Sequence, residues 1–548
     1  MKKGFSIKIS EQKIDIKSFI SGQYDDFYLQ TEHFDFLLEG VLLNRKKLLH
    51  EYALKDFETL IRELYSQKKQ DFIKEFEGEI RGFIFDKTQK KLFVFTNITS
   101  TQRIFYGKFD HEIFVDTSLV RLNETLKNSG RKTIPDIESI YQLLCFSNLP
   151  ERKTPIENVS KLLDGHYLKV DCNSLKLAEI QYFNLSEVTL FTRNKSNAID
   201  IVNEVFTDSV LMEYQKDTEL GRKHLSLLSG GLDSRVAMMY AVKNNEIPDN
   251  ALCFSQSGYF DHTISEKIAE DLGIHYEFIP LDSGKFLKKI DELTTISEGM
   301  VFYTGGIHVK HAVEKMQYEN FALFHSGQIG DGVLGGFNTV PFRKKPSYFK
   351  IVENEKFFSK VKSSLDEMLK NYETEELFML RNIAYNRTVL GAHVFQEKRY
   401  QTSPFMSKEF LKLAISLPEE WKFNHRFYTE WINRHCSEAT KYRWERTLMK
   451  PDAHWKTGFG DRFVKRGFKM LNEKILKTPQ HSSMYPYQYY FDNDAEIQNY
   501  YQQYFNENIY RIENYKELCD DVKDLFNSPK FNYKSQATNI LSIFKLYF

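Results

Sequence analysis

Residues 225–234 read LSLLSGGLDS. A short apolar run stops at Ser229, two glycines follow, and Leu232, Val236 and Met239 then recur on one side of a helical pattern. The order is strand, turn, helix. Gly230 and Gly231 let the backbone come close to an anion, and a helix starting there offers unpaired N–H groups at the positive end of its dipole. The hydroxyls of Ser229 and Ser234 add donors, whereas Asp233 beside a phosphate makes sense if a divalent cation sits between them. Gly-Gly and Asp-Ser also serve as plain αβ turns. The whole string in this context is far more specific than a lone glycine pair.

The segments around it repeat the alternation. Ala198–Met212 reads as a helix, and ALCFSQS (251–257) as a strand. Thr263 and Glu266 form a capping-box pattern, a helix ends at Gly273, and HYEFIPL resumes β-character. NFALFHSG (320–327) is a further buried strand running into a turn, and helical patterns dominate from Phe357 onward. Alternating β and α implies an α/β domain with a doubly wound parallel sheet and a helical C-terminal part. Upstream, FDFLLEGVLL, EIRGFIFD, KKLFVFTN and HEIFVDTS are short strands, and LKDFETLIRELYSQ (54–67) spaces its apolar residues as an amphipathic helix, which predicts an α+β domain. The polar stretch SEVTLFTRNKSN (186–197) separates the two textures, so the expected domains are 1–190 and 191–548.

Composition narrows the classes. The 548 residues carry 75 Lys and Arg against 75 Asp and Glu, so no global field favours nucleic acid or an anionic membrane. Hydrophobic residues make up 41% and aromatics 15%, which supplies core material and argues against disorder. Five scattered cysteines without CxxC spacing disfavour a zinc ribbon or disulfide scaffold, and the absence of a signal-peptide pattern or bilayer-length apolar run makes a cytoplasmic location the expectation. There is no H-E-x-x-H and no G-x-S-x-G. Each candidate Walker Gly-Lys pair, at Lys108 and Lys285, is followed by Phe.

The string at Ser229 matches the SGGxDS pyrophosphate loop of ATP-pyrophosphatase synthetases, and two further blocks sharpen the likeness. SGQIGDGVLGGF (326–337) resembles the SGEGxDExxGGY segment of class B asparagine synthetases, and SQSGYFDHTISEKIAEDLG resembles their nucleotide-contacting segment. EGVLLNRKKL, FEGEIRGFIFD and FTNITSTQRIFYG more loosely resemble the glutaminase half of that family, an Ntn-hydrolase-like domain. The resemblance implies that Leu228, Ser229, Gly230, Gly231, Asp233 and Ser234 cradle ATP phosphates. It places Phe254, Ser255, Ser326 and Gly327 around adenosine, with Asp233 and Asp331 on magnesium.

Departures from the family pattern shape the remaining expectations. A glutamine-dependent member needs Cys after the initiator Met, and here the residue is Lys2; the oxyanion Asn-Gly is replaced by Glu39-Gly40, whose carboxylate would oppose a developing oxyanion. Loss of glutamine hydrolysis is expected, as in β-lactam synthetases and lasso-peptide cyclases. Gln328 stands where the family has Glu, and Tyr400 and Thr402 replace an acid and an arginine. A substitute base is sought at Glu397 with His393, four residues apart, and the positive group at Lys450, with Lys456 second. The expected activity is an AMP-forming ligase joining a small-molecule or peptide carboxylate to an amine. ATP and magnesium are the cofactors, no nucleic acid or membrane partner is expected, and a homodimer is allowed. An ammonia-using asparagine synthetase and a non-catalytic ATP-binding scaffold are the alternatives.

Overall fold

The computed structural model describes residues 3–548 except 454, 457–459, 471 and 473–482, and the side chains at 349, 461, 462, 465, 466 and 469 are likewise left aside. The expectation for Lys2 lies outside the described residues, as do positions 454 and 457–459 of the segment 446–460 that carries Lys450 and Lys456. The chain divides into two compact units. One is Met1–Glu187 with Asn354–Val361 and Tyr547–Phe548, and the other is Val188–Glu353 with Lys362–Leu546.

The first unit contains β1 (Phe5–Ser10), β2 (Ile14–Ser18), β3 (Phe27–Gln30), β4 (Phe34–Leu42), β5 (Gly78–Asp86), β6 (Lys91–Thr96), β7 (Phe105–Phe109), β8 (Glu112–Asp116), β9 (Val159–Lys161), β10 (His166–Asp171) and β11 (Lys176–Gln181). These form antiparallel sheets in the orders β2-β1-β8-β7-β9 and β11-β10-β6-β5-β4-β3. Side chains alternate across a strand, and here both sets are apolar. Phe36, Leu38, Ile80, Ile84, Phe93 and Phe95 meet Leu60, Ile61 and Leu64 of the helix Phe57–Lys68. Their neighbours Leu37, Phe83, Leu92 and Val94 meet Ile7, Ile9, Ile113 and Val115 of the other sheet. The six-stranded sheet is therefore buried on both faces. Its helix begins at Phe57, a little later than the apolar spacing suggests, because the Asp56 carboxylate accepts from the Thr59 N–H at 2.8 Å and caps it.

The second unit is built on a parallel sheet of β12 (Lys223–Leu227), β13 (Asn250–Ser255), β14 (His275–Pro280), β15 (Phe321–His325) and β16 (Tyr400–Thr402), in the order β14-β13-β12-β15-β16. After β12 the chain runs outward on one side through β13 and β14, then returns to pair β15 on the other. The crevice beyond the C-terminal ends of β12 and β15 is thus the point where strand order reverses, the place where open parallel sheets bind ligands. One expected element is corrected. Thr263 does not cap a helix with Glu266, because the helix Phe260–Leu272 starts a turn earlier, and the Thr263 hydroxyl bonds back to the Tyr259 carbonyl at 3.4 Å inside it. That helix closes on Gly273 at φ 66°, a left-handed position that costs glycine nothing.

An aromatic core sets the site's floor. Phe206 packs on Phe405 at 4.6 Å between ring centroids, and on Trp431 and Tyr240 at 4.9 Å. Tyr428, on the same helix as Trp431 (Arg426–His435), lies against Phe405, and its hydroxyl leaves this core toward Asp233.

Candidate nucleotide and metal site

The turn after β12 feeds the helix Leu232–Lys243, whose N-cap Gly231 has no side chain to cover the first N–H groups. Ser229 and Ser234 shape the loop: the Ser229 N–H donates to Ser234 Oγ at 3.1 Å, their hydroxyls lie 3.0 Å apart, and the Gly231 N–H donates to Ser229 Oγ at 3.1 Å. Gly230 is fixed from outside, its N–H donating to Asp261 Oδ1 at 2.8 Å. A Cβ there would stand 3.0 Å from both the Phe260 carbonyl oxygen and Glu445 Cβ.

Arg235, one turn into the helix and wholly buried, holds the loop from behind. Its guanidinium donates to the carbonyls of Gly230 (2.7 Å), Gly231 (3.1 Å), Ala439 (3.2 Å), Tyr442 (3.2 Å) and Arg443 (2.6 Å). The Glu445 N–H also donates to the Gly230 carbonyl at 3.0 Å. The loop and the segment 439–445 are one hydrogen-bonded assembly, and that segment ends in a turn presenting Trp444, Glu445 and Arg446 to the cavity.

Two carboxylates line the cavity beside the loop, Asp233 from the first helical turn and Asp331 from the turn after β15. The Asp331 N–H donates to Asp233 Oδ2 at 2.7 Å, and the Tyr428 hydroxyl donates to Asp233 Oδ1 at 2.9 Å. Burial, and then the neighbouring charge of Asp331, raise the Asp233 carboxyl well above its ordinary pKa. Arg446 Nη1 donates to Asp331 Oδ2 at 2.8 Å, so a guanidinium already stands on the second carboxylate.

The turn after β15 closes the other side. Ser326 is tied by its N–H (3.0 Å) and hydroxyl (2.8 Å) to the Thr402 carbonyl of β16. Gln328 spans the rim: its Nε2 donates to the Thr388 carbonyl at 2.6 Å, and its Oε1 accepts from Gln401 Nε2 at 3.0 Å. Ile329 has φ 68°, a conformation rarely adopted by a β-branched residue and one that concentrates at functional sites. A Cβ on Gly327 would come within 2.2 Å of the Asp233 backbone carbon and 2.4 Å of its carbonyl oxygen. Gly327→Ala is therefore expected to push the two loops apart and destabilise the protein by about 1–3 kcal/mol, measured by urea denaturation.

These loops enclose a cavity of about 490 Å³, within the range of small-molecule sites. Of the residues expected from sequence, Leu228, Ser229, Gly231, Asp233, Ser234, Phe254, Ser326, Gly327, Gln328 and Asp331 line it. Gly230 and Ser255 are not among the lining residues; the Ser255 hydroxyl donates to the Gln256 carbonyl at 3.0 Å. Glu397 lies off the cavity and pairs with Lys310 at 2.7 Å, and His393 is not among the lining residues either. Lys450 is exposed outside the lining, and Lys456 pairs with Asp452 at 2.7 Å. Thr402 turns away, donating to Glu213 at 2.9 Å. Sequence reasoning missed Arg446, Glu445, Trp444, Thr388 and Met484. The signal for Arg446 lay in RTLMK itself, at the start of the run whose lysine was preferred.

Comparisons with known proteins fall on the same loops. Residues 202–398 match the family model described as asparagine synthase, a stretch that holds the serine-glycine turn and Asp331 and stops before Arg446. The chain is 23% identical over 381 residues to asparagine synthetase (glutamine-hydrolyzing) 2 of Bacillus subtilis, covering 64% of this chain and 49% of that protein. It is 24% identical over 375 residues to a Methanocaldococcus jannaschii protein provisionally named asparagine synthetase (glutamine-hydrolyzing) 2, covering 65% and 70%. The chain thus spans about half the length of the first relative. A solved structure titled as the allosteric regulatory enzyme of purine biosynthesis superposes over 50% of this chain and 74% of its own, at TM-score 0.23 and 9% identity.

Proposed function

We propose that this chain is an ATP-dependent carbon–nitrogen ligase of the asparagine-synthetase type, which activates a carboxylate as an acyl-adenylate, releases pyrophosphate and passes the acyl group to an amine. The observation that carries the reading is the meeting of an uncapped helix N-terminus with two convergent carboxylates, Asp233 and Asp331, at the reversal point of a parallel sheet.

The residues present fit nucleotide and magnesium. Gly231 and the helix N-terminus favour phosphate oxygens, and the Ser229 and Ser234 hydroxyls can turn from each other to the same anion. Asp233 is half-buried beside a second carboxylate, a cost that a bound dication removes, and oxygen donors of this kind suit magnesium. Held by Asp233 and Asp331, the metal would neutralise charge on departing pyrophosphate. Leu228, Phe254, Ser326 and Gly327 supply the apolar and backbone surface for adenosine.

Arg446 takes the part first sought at Lys450, donating from the cavity wall to oxygens that gain charge as the α-phosphorus is attacked. Gln328, with both ends of its amide already bonded, orients and cannot take a proton. Glu445 is the remaining carboxylate among the lining residues, accepting from the Tyr259 hydroxyl at 2.5 Å, which makes it the acceptor for the amine's proton.

Absence of glutamine hydrolysis is part of the proposal. Glu39 lies buried in β4, paired with Arg81 on the facing strand, so the position reserved for an oxyanion donor holds a carboxylate already engaged in an ion pair. The paired antiparallel sheets of the first unit suit an Ntn-hydrolase-like scaffold that has lost this chemistry.

The test is pyrophosphate–ATP exchange over a panel of amino acids, peptides and β-amino acids. Carboxylate-dependent exchange, with AMP and pyrophosphate formed in equal amounts once an amine is added, is the expected result. Formation of ADP and phosphate, or nucleotide bound without turnover across the whole panel, would remove the ligase assignment.

A further inference from the structure

Beneath the cavity, on the sheet face covered by the helix Lys195–Glu219, a second group of metal-type ligands comes together. Asp217 of that helix meets His224 of β12 and His325 of β15: Asp217 Oδ2 is 3.0 Å from His224 Nδ1 and 2.6 Å from His325 Nε2. All three ligand atoms lie within 4.8 Å of one another, and this is the group of that kind found among the described residues. Asp217 Oδ1 is taken by the Leu323 N–H at 3.0 Å, which fixes the carboxylate with Oδ2 facing the imidazoles.

The outer surroundings have the form that metal-bound histidines need. Ligating imidazoles usually rest their far nitrogen on a carboxylate, which sets tautomer and ring orientation. Here His325 Nδ1 lies 3.5 Å from Glu213 Oε2, and His224 Nε2 lies 3.6 Å from Glu246 Oε2. Glu213 is itself held by the Thr402 hydroxyl at 2.9 Å, and the Tyr214 ring stacks on His325 at 3.9 Å. Three carboxylates thus surround two imidazoles in a nearly closed space, where the side chains of Asp217, His325 and His224 are 0%, 1% and 13% exposed.

From this we infer that Asp217, His224 and His325 form a structural site for a zinc-class divalent metal, distinct from the magnesium pair above. Two imidazole nitrogens and one carboxylate oxygen are the donor set of zinc rather than of a hard oxygen-seeking cation. None of the three lines the cavity, so the site is closed to substrate. Its effect is to clamp one helix to β12 and β15 directly below the two loops, because Ser226 pairs with His325 in the sheet and the loops start within three residues of them.

The test takes the full chain, stripped with chelator, and titrates it with zinc alone, then with cobalt(II) as a spectroscopic substitute. One zinc per chain is expected, together with the intense d–d bands of a four-coordinate cobalt site. His224→Gln, at the rim of the cluster, should weaken binding by about 100-fold or more. Asp233→Asn should leave zinc stoichiometry and affinity unchanged, which keeps this result separate from that of the ligase assay. If His224→Gln does not fold, histidine ¹⁵N shifts of the wild-type chain decide, with zinc expected to move one ring nitrogen of each residue into the metal-bound range. Zinc binding that is unchanged in folded His224→Gln would overturn the inference. So would an absence of zinc binding by the folded wild-type chain, the cluster then being an imidazolium clasped by Asp217 and Glu213.

Discussion

Asp233→Asn is expected to reduce magnesium-dependent pyrophosphate release by about 100- to 1,000-fold while leaving the fold intact. The amide oxygen can still accept from the Asp331 N–H or the Tyr428 hydroxyl, so the local hydrogen bonds survive in part. What disappears is the charge. In the unliganded protein that charge is a burden, since Asp233 is half-buried beside a second carboxylate, and desolvation and that neighbouring charge both raise its pKa. Two measurements with opposite signs check the idea: chemical denaturation should show the variant at least as stable as wild type, while pyrophosphate release collapses. Turnover at the wild-type rate would mean that the metal is held elsewhere.

Arg446→Ala is expected to lower kcat by about 100-fold, with metal affinity moving the other way. The guanidinium now stands on Asp331 Oδ2 at 2.8 Å, so it competes with any cation for that carboxylate. Removing it frees Asp331, and magnesium should bind more tightly even as the chemical step slows. Lys450→Ala, at an exposed residue off the cavity, should change the rate by no more than about twofold. Stopped-flow kinetics with magnesium titration reads both quantities. A variant with full kcat, or a large loss at Lys450, would return the positive group to its sequence-based position.

The contrast between these two residues shows what could be read from sequence. The serine-glycine loop was legible because its chemistry is local: glycines, hydroxyls and a helix start occupy consecutive positions, and strand alternation on both sides fixes the sheet that presents them. Asp331 was legible for the same reason, as one residue of a contiguous block. Arg446 was not, because its place depends on a tight turn docked by the Glu445 N–H on the Gly230 carbonyl, a contact across more than 200 residues. Spacing within RTLMK cannot tell which cation faces inward. Spacing likewise could not show that Glu397 lies off the cavity, paired with Lys310. Thr263 and Glu266 match a capping pattern, but the chain enters that helix at Phe260, with Tyr259 at the N-cap and no side chain capping it. The cluster of Asp217, His224 and His325 was hidden because its members come from a helix and two strands separated in sequence.

Arg235 has one more effect, which follows from the planarity of the peptide unit. In a trans amide the carbonyl and the next N–H point in opposite directions. By drawing the Gly230 and Gly231 oxygens back toward itself, the buried guanidinium turns the amide hydrogens of Gly231 and Leu232 the other way. The peptide planes of the turn are thus set before any ligand arrives, and what moves at the moment of capture is the Ser229 hydroxyl on which the Gly231 N–H now rests.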